Sequence, residues 1–268
     1  MPLLKAENLV KSFGSRLVVK GVSLGIHSGE IIGLLGRNGA GKTTIFQMIV
    51  GLLRPDDGEI FLDEEDISRA PTHRRAIAGL TYLPQENSVF LKASVMDNLR
   101  LALELQPYPP DERERMAHSL LAEFGMSHLA RHSADSLSGG ERRRLEIARA
   151  LVLKPKFLLL DEPFMGIDPL TIIEIQKILI RLKNKAIGIL LADHNVRDTF
   201  RIADRAYIIE EGEILVEDSP LRLAVNAEAK EKFLGMEFTF GEERRFQSLG
   251  ETTRSPSVSP RKNKKRKK

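Results

Sequence analysis

The 268-residue chain has no cysteine and no tryptophan. Without thiols there can be no disulfides, thiolate metal centres or cysteine nucleophiles, which excludes disulfide-stapled scaffolds and thiol enzymes. The absence is compatible with a reducing compartment. The six histidines are scattered, with no pair at metal-ligand spacing. No apolar run approaches the roughly 20 residues of a membrane helix, so the chain is not expected to cross a bilayer by itself. Its start, Met1-Pro2-Leu3-Leu4-Lys5, lacks the basic-then-apolar pattern of a secretion signal. The positive net charge of +4 is also local. Residues 254–268 carry eight basic side chains and no acid, and setting those eight aside leaves −4 for residues 1–253. A mildly acidic body argues against a nucleic-acid-binding core surface, and no nucleic-acid partner is expected.

What remains is ordinary for a globular protein: 42% hydrophobic and 29% charged residues. The length allows one substantial core plus a smaller lobe. Within it, Gly36-Arg37-Asn38-Gly39-Ala40-Gly41-Lys42-Thr43 matches G-x-x-x-x-G-K-[ST]. About 0.01 such matches are expected by chance in a chain this long. The octet lies between an apolar run, Ile31 to Leu35, and a helix-like stretch, Thr44 to Leu53. Glycines let the backbone curl so that successive N–H groups face phosphate oxygens. Lys42 supplies a cation for the β- and γ-phosphates, and Thr43 a hydroxyl for Mg²⁺. The nucleotide-binding candidates therefore run from Gly36 through Thr44.

Around this loop the pattern changes repeatedly. Residues 3–28 alternate in short apolar runs, as antiparallel strands do. Glu30 to Leu35 reads as a strand of a parallel sheet covered on both faces. Strands are expected at Glu59–Leu62, Gly79–Leu83, Phe157–Leu160 and Gly188–Ala192, and a hairpin at Ala206–Ile209/Glu213–Val216. Helices are expected at Thr72–Ala78, Gly140–Val152, Leu170–Lys183 and Val196–Ala203, with one last amphipathic helix over 219–235. Residues 94–134 read mostly as helix broken at Pro107, Pro109-Pro110 and Gly125, with starts at Ser94 and Pro110. From Gly241 the chain is polar and is expected to be disordered. Its basic end reads as a solvated tail, or as one attracted to nucleic acid or to anionic lipid, at about 1 kcal/mol per cation near a membrane.

Two further strings carry chemistry. Phe157-Leu158-Leu159-Leu160-Asp161-Glu162 is an apolar strand ending in two carboxylates. A buried strand delivers them to the sheet edge where the phosphate loop also lies. Asp161 can hold Mg²⁺ through its water shell, and Glu162 can orient and deprotonate an attacking water. Leu137-Ser138-Gly139-Gly140-Glu141 precedes an arginine-rich helix and makes a second anion-binding helix end. Two phosphate-binding helix ends but one carboxylate strand point to two chains, each completing the other's site.

In order, the GKT loop, Gln85 after a strand, LSGGE, LLLDEP, Asp168 and His194 resemble the ATP-binding subunit of ABC transporters over residues 3–235. The resemblance implies an α/β P-loop NTPase: a mixed central sheet, an N-terminal antiparallel β-subdomain and an inserted helical subdomain at about 94–150. The cassette would occupy residues 1–240 and the basic tail 241–268. It also implies that Phe13 stacks on adenine, Gln85 contacts Mg²⁺ and the attacking water, and His194 contacts the γ-phosphate. Ser138, Gly139, Gly140 and Glu141 would clamp ATP bound to a second copy. ATP and Mg²⁺ are the implied cofactors. Membrane permease subunits are the implied partners, with peripheral association on the cytoplasmic face of the inner membrane. Phe90, beside Gln85, is the candidate permease contact, its alternative being a core position under the helical subdomain.

Within the family, Phe164-Met165-Gly166-Ile167-Asp168-Pro169, Asp193-His194-Asn195 and Glu86-Asn87-Ser88-Val89-Phe90 look like the lipopolysaccharide-export branch. Branched-chain amino acid transporter ATPases are the alternative, but usually carry Asn at position 168 and an E-H-D triplet around His194. Glu141 and Gly166 depart from the common family pattern, and both occur in the export branch. The reading of another class is a soluble ABC ATPase acting on ribosomes, DNA ends or iron–sulfur assembly; ribosomal forms usually carry two cassettes and DNA-repair forms a long coiled coil, and neither is present. A non-hydrolysing regulator is disfavoured by Glu162.

Overall fold

The computed structural model describes residues 2–241. The expectations for the tail beyond Gly241 lie outside the described residues. Strand β1 (Leu3–Phe13) turns at Gly14 into β2 (Arg16–His27), with alternate residues Leu4, Ala6, Val22, Leu24 and Ile26 buried. Strand β3 (Ile31–Leu35) is buried throughout and leads through the phosphate loop into α1 (Lys42–Val50). Strands β4 (Asp57–Leu62) and β5 (Glu65–Asp66) complete an antiparallel sheet of order β2-β1-β4-β5.

Helix α2 (Thr72–Ile77) precedes β6 (Leu80–Leu83), and the helical insert follows: α3 (Val95–Glu104), α4 (Pro110–Glu123) and α5 (Gly139–Leu151). Ser94 caps α3 by accepting the Asp97 N–H, and Pro110 opens α4 at a position needing no N–H donor. Then come β7 (Phe157–Asp161), α6 (Pro169–Asn184), β8 (Gly188–Asp193), α7 (Val196–Ile202), β9 (Arg205–Glu210) and β10 (Glu213–Asp218). The second sheet has order β10-β9-β3-β8-β7-β6, parallel except for its β10 edge.

The central strands are apolar on both faces because both faces are covered. Ile32, Leu34, Leu159 and Leu190 pack with α1 and the antiparallel sheet, whereas Ile31, Leu158, Leu160 and Leu191 pack under the helical insert and α6. The period-2 alternation of strand side chains divides one apolar run between two cores. Each fully buried Leu or Ile contributes about 1.5–3 kcal/mol, so the central strands hold both lobes to one scaffold.

One expectation fails. The single helix over 219–235 is instead α8 (Pro220–Leu223), then α9 (Ala227–Ala229) running into a π-helical turn at Lys230–Leu234. Asn226 causes the break. Its backbone is extended and its side-chain oxygen accepts the Ala229 N–H, starting a new helix rather than continuing the old one.

A candidate nucleotide site at the C-terminal edge of the parallel sheet

The loop after β3 is shaped by glycine where no other residue fits. Gly41, the N-cap of α1, has φ 108°, a left-handed conformation that costs L side chains steric strain. Lys42 is only 6% exposed, and its Nζ donates to the Gly36 and Arg37 carbonyls at 2.7 and 3.1 Å. The ammonium thus arches over the loop whose N–H groups would meet phosphates. Burial lowers the Lys42 pKa, opposed by the negative charges of Glu162, Asp161 and Asp193.

Strand β7 ends at Asp161, almost wholly buried. One carboxylate oxygen, Oδ2, accepts the Tyr82 hydroxyl at 3.3 Å; the other, Oδ1, is buried without a hydrogen-bond donor among the described residues. Burial raises the Asp161 pKa, and the Thr43 and Tyr82 hydroxyls and Lys42 counter only part of that rise. An orphaned carboxylate oxygen beside a threonine hydroxyl suits a hard divalent cation. No group of three or more His, Asp or Glu able to hold a metal occurs among the described residues.

Glu162 follows with φ 46°, an unusual conformation for a non-glycine residue, held by its N–H donating to the Ala192 carbonyl at 2.7 Å. This kink lets consecutive carboxylates leave the strand in different directions. The Glu162 carboxylate lies 3.5 Å from Nδ1 of half-exposed His194, which follows the last residue of β8. Asp193 is fully buried and accepts the Asn195 and Phe164 N–H groups at 2.8 and 3.2 Å, tying the segments after β7 and β8 together. Burial raises its pKa against those two hydrogen bonds.

A cleft of ≈ 520 Å³ gathers Phe13, Asn38, Gly39, Gly41, Lys42, Thr43, Thr44, Gln85, Glu162 and His194. Phe13 is 51% exposed and lines the same cleft as Lys42, offering it an aromatic ring. Gln85 sits at the mouth, its Nε2 3.3 Å from the Met165 sulfur. A second cleft of ≈ 600 Å³ shares Gln85, Glu162 and Met165 and reaches Gly139 at the start of α5. Ser138 and Glu141 form a reciprocal capping box there: the Ser138 hydroxyl accepts the Glu141 N–H, and the Glu141 carboxylate accepts the Ser138 N–H and hydroxyl. A Cβ on Gly140 would meet Thr171 Cγ2 at 2.2 Å, so glycine is needed for α5 to approach α6. Ser138, Gly140 and Glu141 do not line the first cleft. Phe90 is not a core residue: it is 54% exposed, with the Arg149 guanidinium 5.2 Å from its ring centroid.

The profile of the ABC transporter family matches residues 19–165. The lipopolysaccharide export system ATP-binding protein LptB of Haemophilus influenzae is 49% identical over 89% of this chain and 99% of its own length. This chain belongs to the ABC transporter ATP-binding family. LptB of Acidithiobacillus ferridurans (50%, 88% of this chain, 98% of its own) and of Escherichia coli K12 (47%, 89% and 99%) are similarly related to the cassette. Among solved structures, MJ1267 in its ADP conformation, an ATP-binding cassette of an ABC transporter, superposes with TM-score 0.79 at 27% identity. That match covers 88% of this chain and 99% of the MJ1267 chain. CbiO1 of Clostridium perfringens, part of the cbiONQ complex, gives 0.76 at 30%, covering 92% and 98%. The cassette is therefore an ATP-hydrolysing subunit of a transporter, with the α/β fold the motifs implied.

Sequence reading missed several residues around this site. Tyr82 touches Asp161 only because β6 and β7 lie side by side, 79 positions apart in sequence. Arg143 and Glu146 pair inside α5 at 2.8 Å. Arg143 also donates to the Asp161 carbonyl, and Glu146 accepts the Ser88 N–H, which binds the loop after Gln85 to β7. The arginine-rich helix was the visible signal, but nothing local said which arginine turned inward.

Proposed function

We propose that this chain is the ATP-hydrolysing subunit of a lipopolysaccharide export transporter, extracting lipopolysaccharide from the inner membrane toward the outer membrane. It acts as a pair of copies coupled to membrane permease subunits on the cytoplasmic face. The observation that carries the cargo assignment is 47–50% identity to LptB proteins over 98–99% of their lengths.

In this reading Phe13 stacks on adenine while the loop N–H groups and Lys42 take the phosphates. Moving Lys42 from its carbonyl partners to a phosphate replaces neutral acceptors with charged ones, so the ammonium gains a full ion pair. Thr43, Asp161 and Gln85 are the residues that would hold Mg²⁺, which would supply charge neutralisation at the phosphates when bound. Glu162 accepts the proton of the attacking water, oriented by Gln85, and His194 steadies the γ-phosphate. His194 lies within reach of Glu162, so one reacting oxygen can contact both. Ser138 through Glu141 of a second copy close over the same phosphate, and Phe90 meets the permease.

Recovery of the tagged protein from its host's membranes, with identification of the co-purifying permeases, tests the assignment. Lipopolysaccharide-export permeases are expected. Recovery with amino-acid permeases instead would transfer the cassette to the branched-chain amino acid reading.

A further inference from the structure

Strand register puts a phenol beside the metal-site carboxylate. Tyr82 on β6 pairs with Leu159 on β7, and Asp161 lies two residues further along β7. Tyr82, Leu159 and Asp161 therefore share the sheet face that looks toward α1. The Tyr82 ring is held edge-on to Phe46 of α1, centroids 6.2 Å apart at 79°. Its hydroxyl reaches Asp161 Oδ2 at 3.3 Å, which leaves Oδ1 as the buried oxygen without a donor. The ring bridges the helix that carries the phosphate loop and the strand that carries the carboxylate.

We infer that Tyr82 is a positioning residue for the divalent-cation site: its hydroxyl occupies one oxygen of Asp161 and so fixes the carboxylate with its other oxygen turned to the metal's water shell. The inference rests on the nucleotide-site reading above. Buried carboxylates that serve metals commonly have one oxygen engaged by an outer partner, which sets orientation and removes a competing geometry. A carboxylate released from that partner could present either oxygen, and the cation would meet a less ordered ligand. Phe46 makes the placement robust, because removing the hydroxyl alone leaves the ring packing intact.

Equilibrium binding of fluorescent ADP to the full chain, in excess Mg²⁺ and in EDTA, tests this without turnover. The affinity gain on adding Mg²⁺ is compared in the unaltered protein, Tyr82→Phe, Asp161→Asn and the double variant. Tyr82→Phe is expected to keep the EDTA affinity and lose about tenfold of the Mg²⁺-dependent gain. In the Asp161→Asn background the same change should do nothing further, since the hydroxyl acts only through that carboxylate. A full Mg²⁺ gain in Tyr82→Phe, or an equal weakening in EDTA, overturns the inference and leaves the site reading standing. An unaltered protein whose ADP affinity ignores Mg²⁺ overturns both.

Discussion

The phosphate-loop helix is anchored at its far end by a buried cation, and removing that cation should unfold the cassette at markedly lower temperature. Arg75 of α2 is nearly inaccessible, and its guanidinium donates to the carbonyls of Met48 (2.9 Å), Ile49 (2.6 Å), Ser68 (2.9 Å) and Ala70 (2.8 Å). Two of these carbonyls close the last turn of α1, where a cation also meets the negative end of the helix dipole. Burial lowers the Arg75 pKa, with Asp66 as the opposing charge. In Arg75→Met the aliphatic stem is largely kept and the donors vanish. Met48 retains the Gly51 N–H, so three carbonyls lose their donor. At about 1–3 kcal/mol for each unsatisfied group, offset by the recovered cost of burying a charge, the net loss is about 3 kcal/mol. For a domain of this size that is roughly 6–12 °C in midpoint. Thermal unfolding followed by circular dichroism at fixed protein concentration reads it. A midpoint within 2 °C or so of the unaltered protein would refute the staple, since no other donor lies ready to replace five N–H groups.

Other outcomes follow from the same geometry. Lys42→Ala should weaken ATP binding by at least tenfold in a nucleotide titration, because its ammonium is the buried cation of the cleft; unchanged affinity would detach the loop from phosphate binding. Glu141→Gln should remove a pH dependence. The Glu141 carboxyl is held below its ordinary pKa first by the Ser138 hydroxyl and then by its N–H. A depressed carboxyl stabilises the fold above its unfolded pKa, about 4.3, and loses that contribution as pH falls through the folded value. The unaltered protein should therefore lose a small part of the cap's stability on acidification, about 0.3–0.5 kcal/mol after solvent screening, that Glu141→Gln does not lose, as read by denaturant melts at pH 7 and 3. Phe90→Ala should keep basal ATPase activity and lose transport in a reconstituted transporter; transport at the unaltered rate would remove Phe90 from the permease contact.

How legible the site was depended on whether its parts are local. The Gly36–Thr43 loop and the Asp161-Glu162 strand end could be read because glycine spacing and an apolar run are contiguous signals, and the cleft brings both together. The antiparallel strands and the mostly helical 94–134 stretch show in changes of period along the chain, whereas the mixed sheet and its division into subdomains come with the family resemblance. Tyr82 could not be read, since its partner depends on the β6–β7 register. Arg75 was equally hidden: it looks like a surface arginine until four carbonyls converge on it. The kink at Glu162 is likewise a tertiary effect, fixed by the hydrogen bond its N–H donates to the Ala192 carbonyl of β8. The 219–235 stretch is not one helix because the Asn226 cap interrupts an apolar period that runs on across it.

Lys42 and Glu162 line one cleft while Ser138, Gly140 and Glu141 lie outside it, and the proposed pairing of two chains would bring the two halves together. Light scattering on Glu162→Gln at saturating ATP and Mg²⁺ measures this directly, because a chain that binds but cannot deprotonate water should accumulate as the closed pair. The predicted mass is twice 30.1 kDa, reverting to the single-chain mass when ATP is withdrawn. A particle that stays at 30.1 kDa with nucleotide bound would contradict the shared site.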